Sequence, residues 1–182
     1  MRVNLPKCLP ALAAVLLMCA LTSPAQIRRS SSSKPGPEQT FLAKRAGEYT
    51  RVIKFVGQDG EWTGTSKISV ILGGRFVLEE NQDTVMGRPV EGTRIWGYNN
   101  STKQYEAAWM YTMSTAITRL TGTSADGGKI IDYTSTSAEP GGTQLHARVR
   151  QIDDDHFVIT LSAPGADGKD APFQETTYTR KK

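Results

Sequence analysis

The sequence predicts an all-β fold, an antiparallel meander of about ten strands closed into a barrel and preceded by a short helix. Three observations predict it. Turn-forming clusters recur after Gly47 at intervals of 13 or 14 residues: Asp59-Gly60, Gly73-Gly74, Met86-Gly87, Asn99-Asn100, a weaker one near Met113, Asp126-Gly127-Gly128, Pro140-Gly141-Gly142, Asp153-Asp154-Asp155 and Asp167-Gly168. Asp-Gly and Gly-Gly suit tight hairpins because glycine takes positive φ without steric cost. The segments between the turns are rich in Thr, Val and Ile and partly alternate, and none shows a sustained helical period. Nine turns delimit ten strands. Short turns make consecutive strands antiparallel neighbours, and closure removes the two exposed edges that an open meander would leave. A two-sheet sandwich is the alternative arrangement of the same strands.

Taken in order, residues 1–25 read as a secretory signal. Arg2 and Lys7 are basic, Leu9 to Leu21 is mainly apolar, and Ser23-Pro24-Ala25 places small residues before a cut after Ala25. The apolar run is shorter than the roughly 20 residues a spanning helix needs. The expected location is therefore periplasmic or secreted. Membrane association would require lipidation at Cys19 or a retained signal. Both cysteines, Cys8 and Cys19, lie in this leader, so a chain cut after Ala25 has no thiol chemistry and no disulfide. Residues 26–37 form a Ser/Pro-rich linker expected to be flexible. The barrel domain is expected over 38–182. A helix spans Glu38 to Ala46, anchored by Leu42 and ended by Gly47. Strands follow over Thr63 to Leu72, Arg75 to Val85, Thr143 to Ile152 and His156 to Ser162, the last with Phe157, Ile159 and Leu161 on one face.

The formal net charge of +4 is concentrated at the two ends, in Arg2, Lys7, Arg28 and Arg29 and in Arg180-Lys181-Lys182. With no basic block between, no nucleic-acid partner is expected. The G-x-S-x-G, H-E-x-x-H and G-x-x-x-x-G-K patterns are absent, so no catalytic residue is assigned.

Several segments together resemble a bacterial family. Leu42, Gly47 and Tyr49 are similar to its opening element. Ile71-Leu72-Gly73-Gly74-Arg75-Phe76 resembles its glycine-glycine-arginine hairpin. Gly97-Tyr98-Asn99, Lys103, Tyr105 and Trp109 resemble its central segment, and Thr177 to Lys181 its end. The family is domain of unknown function 1579, and the resemblance implies a lipocalin-like (calycin-type) barrel with no established activity. Tyr49 stands where the family has tryptophan, and Asn99 and Tyr111 stand where aspartate is usual.

The candidate ligand-binding residues are Arg75, Glu79, Trp96, Tyr98, Tyr105, Trp109 and Tyr111. The five aromatics flank the Asn99-Asn100 hairpin, which brings the two sets close. They read either as a pocket wall, where flat rings cover a ligand, or as core. Arg75, Val77, Glu79 and Asn81 share a strand face. If that face points inward, Arg75 holds a ligand carboxylate or is neutralised by Glu79. The favoured alternative is a solvated outer face. His146 and His156 are conceivable axial haem ligands in a barrel pocket, but neither has an accompanying motif, and no cofactor or metal is expected. Asp153-Asp154-Asp155 reads as a solvated turn. The function these residues suggest is a non-enzymatic exported barrel binding a small apolar or amphipathic molecule. The alternatives are a hydrolase or isomerase working inside the barrel, or an envelope interaction protein.

Overall fold

Ten strands follow one short helix, in the order α1 (Pro37–Ala43), β1 (Gly47–Phe55), β2 (Trp62–Ile71), β3 (Phe76–Val85), β4 (Arg88–Asn99), β5 (Gln104–Tyr111), β6 (Thr118–Thr123), β7 (Ile130–Thr136), β8 (His146–Gln151), β9 (His156–Pro164) and β10 (Asp170–Arg180). The computed structural model describes residues 33–136, 144–165 and 167–182. The expected leader, most of the linker and the Pro140-Gly141-Gly142 turn lie outside the described residues. Each strand pairs antiparallel with the next, and β1 pairs with β10 from Tyr49↔Arg180 to Phe55↔Gln174, so the sheet closes into a barrel. Among the described residues every strand is paired on both sides, so closure leaves no free edge for a neighbouring chain to extend.

The strands form where the alternation demands it. Phe157, Ile159 and Leu161 on β9 and Ala147 and Val149 on β8 point inward and are buried. The turns carry the positive φ that glycine tolerates, as at Gly73 and Gly74 between β2 and β3. The register within β10 shifts between Pro172 and Gln174, beside a proline that can donate no ladder hydrogen bond.

The helix differs from expectation at both ends. Pro37, with φ preset for a first helical turn, opens it, and the Gly36 N–H donates to Gln39 Oε1 at 2.7 Å. It stops at Ala43 rather than Ala46. The Arg45 and Ala46 N–H groups bond three residues back, to Leu42 and Ala43. Gly47, at φ 151°, begins β1 instead of ending the helix. The cause is Arg180 on β10. Its guanidinium occupies the space a Gly47 side chain would need and donates to the Ala46 carbonyl at 2.6 Å and the Lys44 carbonyl at 2.9 Å. The chain before α1 is also tied to the barrel, because Asn100 Nδ2 donates to the Lys34 carbonyl at 2.8 Å.

Glycines inside strands mark where large inward side chains need room. A Cβ on Gly122 of β6 would sit 2.6 Å from the Asp132 carbonyl and 2.7 Å from the Tyr133 ring. The backbone there has nowhere to retreat. We expect Gly122→Ala to lower stability by about 1–3 kcal/mol, the usual cost of overpacking, read as the midpoint of urea unfolding. An unchanged midpoint would contradict this packing.

Candidate functional site

One end of the barrel is closed by α1. Leu42 drops into the mouth and is 2% exposed. It lies over a cavity of about 10 Å³ lined by Leu42, Arg45, Ile68, Val77, Glu79, Trp96 and Phe157. That is room for about one water molecule. Gln39 holds the helix down by donating to the Tyr98 carbonyl at 2.8 Å and to Asn100 Oδ1 at 3.1 Å. Arg45 follows α1 and is buried, with its guanidinium 5.3 Å from the centre of the Phe157 ring. Its Nε donates to Gln151 Oε1 at 3.0 Å, and its Nη2 has no hydrogen-bond partner. Burial pushes the Arg45 pKa down.

Below the mouth the interior turns polar. β3 contributes Glu79, Asn81 and Asp83, β4 contributes Arg94 and β1 contributes Arg51, all buried. Glu79 is the hub. Tyr178 donates its hydroxyl to Oε1 at 2.7 Å, the Trp96 indole donates to Oε2 at 2.9 Å, and Arg94 Nη1 lies 3.4 Å from Oε1. Arg94 also donates to the Tyr178 hydroxyl at 2.6 Å and, through Nε, to the Tyr111 hydroxyl. Arg51 Nη1 pairs with Asp83 Oδ2 at 2.5 Å. Both amide atoms of Asn81, Asp83 Oδ1, Arg51 Nε and the Trp109 indole nitrogen are buried without hydrogen-bond partners. Burial alone would raise the Glu79 carboxyl, but Arg94, Arg51 and the Tyr178 and Trp96 hydrogen bonds outweigh it and hold its pKa below the ordinary 4.5. Burial raises Asp83 above its ordinary 3.8 in spite of Arg51.

The residues expected from sequence are divided by this geometry. Trp96, Tyr105 and Trp109 are buried, and Trp96 packs edge-on against Trp109 at 5.4 Å between ring centres. They fill the core, and among the described residues the space beneath α1 is the water-sized cavity. Tyr98 is half-buried beneath Gln39, with its ring 4.9 Å from Tyr105. Tyr111 joins Arg94, and Glu79 faces inward. The favoured solvated outer face for Glu79 and Asn81 is therefore corrected. Arg75 is not on that face. The turn runs through Arg75 itself, so β3 starts at Phe76, and the exposed Arg75 guanidinium bonds back to the Leu72 and Gly73 carbonyls. Arg94, not Arg75, is the partner of Glu79. His146 and His156 meet carboxylates of other turns and strands, Asp170 at 3.5 Å and Asp153 at 2.7 Å.

Sequence reasoning did not single out Arg45, Arg51, Asp83, Arg94 or Tyr178. Their signal is phase. Arg51 falls between Tyr49 and Ile53, and Arg94 between Gly92 and Trp96, on the buried alternation. Gly64 and Gly92 mark the same layer, because a Cβ at Gly64 would collide with Asp83, and one at Gly92 would lie 2.7 Å from the Tyr111 ring. We expect Glu79→Gln to cost about 3–5 kcal/mol in urea unfolding at pH 7, because Arg94 is left buried without its counter-charge. Glu79 has a lowered folded pKa, so its stabilisation is present above pH 4.5 and fades as pH falls below it. The variant should lose that part of the acid-side slope.

Comparison with solved structures places the fold among known barrels. The crystal structure of Rv2717c from M. tuberculosis matches with a TM-score of 0.60 at 15% identity, covering 82% of this chain and 100% of that one. The S-type phycobiliprotein lyase CPES from Guillardia theta matches with a TM-score of 0.52 at 9% identity, covering 79% of this chain and 92% of that one. At these identities the likeness is one of fold. Comparison with curated proteins finds no significant match. A family model, described as protein of unknown function (DUF1579), matches residues 34–180, almost all of the barrel and the helix that caps it. The chain therefore belongs to the DUF1579 family.

Proposed function

We propose that this is an exported barrel protein, with residues 1–25 as its leader, that binds a small molecule with an apolar body in the α1-capped end of the barrel. One observation carries the reading. The mouth is stoppered by a separate seven-residue helix rather than by the strands, and Leu42 of that helix fills the space above the interior cavity. A side chain lent by a short segment can be withdrawn without breaking any strand pairing. A helix of that length has little stability of its own, so its position depends on its contacts with the barrel. Lifting Leu42 would expose Ile68, Val77, Trp96 and Phe157 as an apolar wall, with Arg45 and Glu79 as its charged members.

The cost of lifting Leu42 is about 1.5–3 kcal/mol of lost apolar burial plus the Gln39 hydrogen bonds. A ligand that buries a larger apolar surface in the same place repays that.

Exposed Val70, Leu72 and Phe76 around the β2–β3 hairpin favour a second reading, docking of this outer edge on an envelope partner. One titration separates the two. The neutral dye N-phenyl-1-naphthylamine fluoresces in apolar surroundings. We expect one-to-one binding to the unmodified chain, and binding strengthened by about tenfold or more in Leu42→Ala, which removes the displacement cost. The same variant should lose about 2–5 kcal/mol of stability in urea. Dye bound equally by both chains would point to the hairpin, and dye bound by neither would sink the barrel reading.

A further inference from the structure

Building on the barrel-binding reading, we propose that the ligand carries one negative charge, a carboxylate at the end of an apolar chain, and that Arg45 receives it. The buried charged groups among the described residues are Arg45, Arg51, Arg94, Glu79 and Asp83. Asp83 is paired with Arg51 and Glu79 with Arg94. Arg45 alone of the five makes no ion pair. Guanidinium does not deprotonate in proteins, so a buried Arg45 cannot shed its charge as a lysine or histidine would. A water molecule in the cavity could accept a hydrogen bond from Nη2 but would not neutralise it. A ligand monoanion would do both and bring the interior charge to zero.

The backbone explains how Arg45 stays in place when the helix leaves. The Tyr49 hydroxyl donates to the Arg45 carbonyl at 3.0 Å, and Arg180 holds the carbonyls of Lys44 and Ala46. Three consecutive carbonyls are thus pinned to β1 and β10. The hinge for α1 lies before them, at Ala43 and Lys44. Arg45 also lines a surface cleft of about 640 Å³ with Phe41, Lys44 and Lys129, so it stands between solvent and the interior cavity. Of the acidic residues at that cleft, Asp153 is engaged by His156 and Asp155 by Arg180, while Asp154 makes no ion pair among the described residues. An anion approaching Arg45 meets Lys44 and Lys129 as well as Asp154 on the way, while Ile68, Val77, Trp96 and Phe157, beside a Glu79 already paired with Arg94, suit the chain behind it.

The test is calorimetric titration of the full chain with octanoate and with 1-octanol, which share a chain and differ in charge. We expect octanoate to bind at least about tenfold more tightly. Arg45→Met should bring octanoate down to the level of octanol, and Arg45→Lys should restore part of the difference. Equal affinity of the two probes, or octanoate binding indifferent to Arg45→Met, overturns the inference and leaves the barrel reading standing. Binding of neither probe removes both. If Arg45→Met does not fold, the comparison of the two probes on the unmodified chain decides the question.

Discussion

The carboxylate of Glu79 is the fixed point of this interior. It lies on β3 and gathers Ser66 from β2, Arg94 and Trp96 from β4 and Tyr178 from β10. Arg51 and Asp83 add β1 to the same layer. A buried carboxylate is costly unless every lone pair is used and a counter-charge is near. Both oxygens of Glu79 accept hydrogen bonds and Arg94 lies near, an arrangement that requires five adjacent strands to stand in one register. The aromatic core above this layer depends on it in turn. Trp96 reaches Glu79 with its indole N–H and the rings of Trp109 and Tyr133 with its face and edge.

Much of this barrel was legible in the sequence, and the part that was not has a specific cause. The meander could be read because its turns use residues with a steric reason to be there, such as Gly60, Gly73, Gly74, Gly127 and Gly168 at positive φ. The strand β9 could be read because its inward positions are all apolar. On β3 the inward set is Val77, Glu79, Asn81 and Asp83, while the outward set includes Glu80, Gln82 and Thr84. Both faces are polar, so alternation cannot choose between them. Only the neighbouring glycines, Gly64 and Gly92, betray which face needs space. Arg45 was harder still. Its burial comes from β8, β9 and β10 folding against a turn that lies over a hundred residues earlier, as its bond to Gln151 shows.

The two halves of the barrel interior differ in kind, and the helix explains why. At the α1 end the walls are mainly apolar, with Arg45 and Glu79 among them, and the plug is a leucine that can be removed at modest cost. In the polar half, by contrast, the side chains belong to the strands and are bound to one another across them. Motion is therefore cheap at the mouth and expensive below it. The contacts holding α1 include Leu42 burial, the packing of Phe41 beside Gly128 and under Arg45, and the two Gln39 hydrogen bonds, with Asn100 tying the Lys34 carbonyl just before it. Local opening draws on segments with few such ties, without global unfolding.

A barrel could be filled with leucine and isoleucine and be more stable than one that buries five charges, since well-packed apolar substitutes for buried ion pairs often stabilise. The charges here do something that apolar residues cannot. Slipping β3 by one residue would carry Glu79 and Asp83 outside and bring Glu80, Gln82 and Thr84 inside. Gln82 or Thr84 would then take the place of Asp83, so Arg51 would be buried with no counter-charge in reach, while Arg94 would depend on Glu80 for one. An apolar core would tolerate such a slip at the price of some packing, whereas this one is penalised at the Arg51 guanidinium. The polar layer thus selects a single register, and it holds β4 and β5 where Trp96, Trp109 and Tyr105 must meet. The remaining guanidinium, Arg45, has no part in that selection, because it sits on a turn and pairs with no strand residue of opposite charge. Register explains four of the buried charges, and the fifth needs a reason of its own.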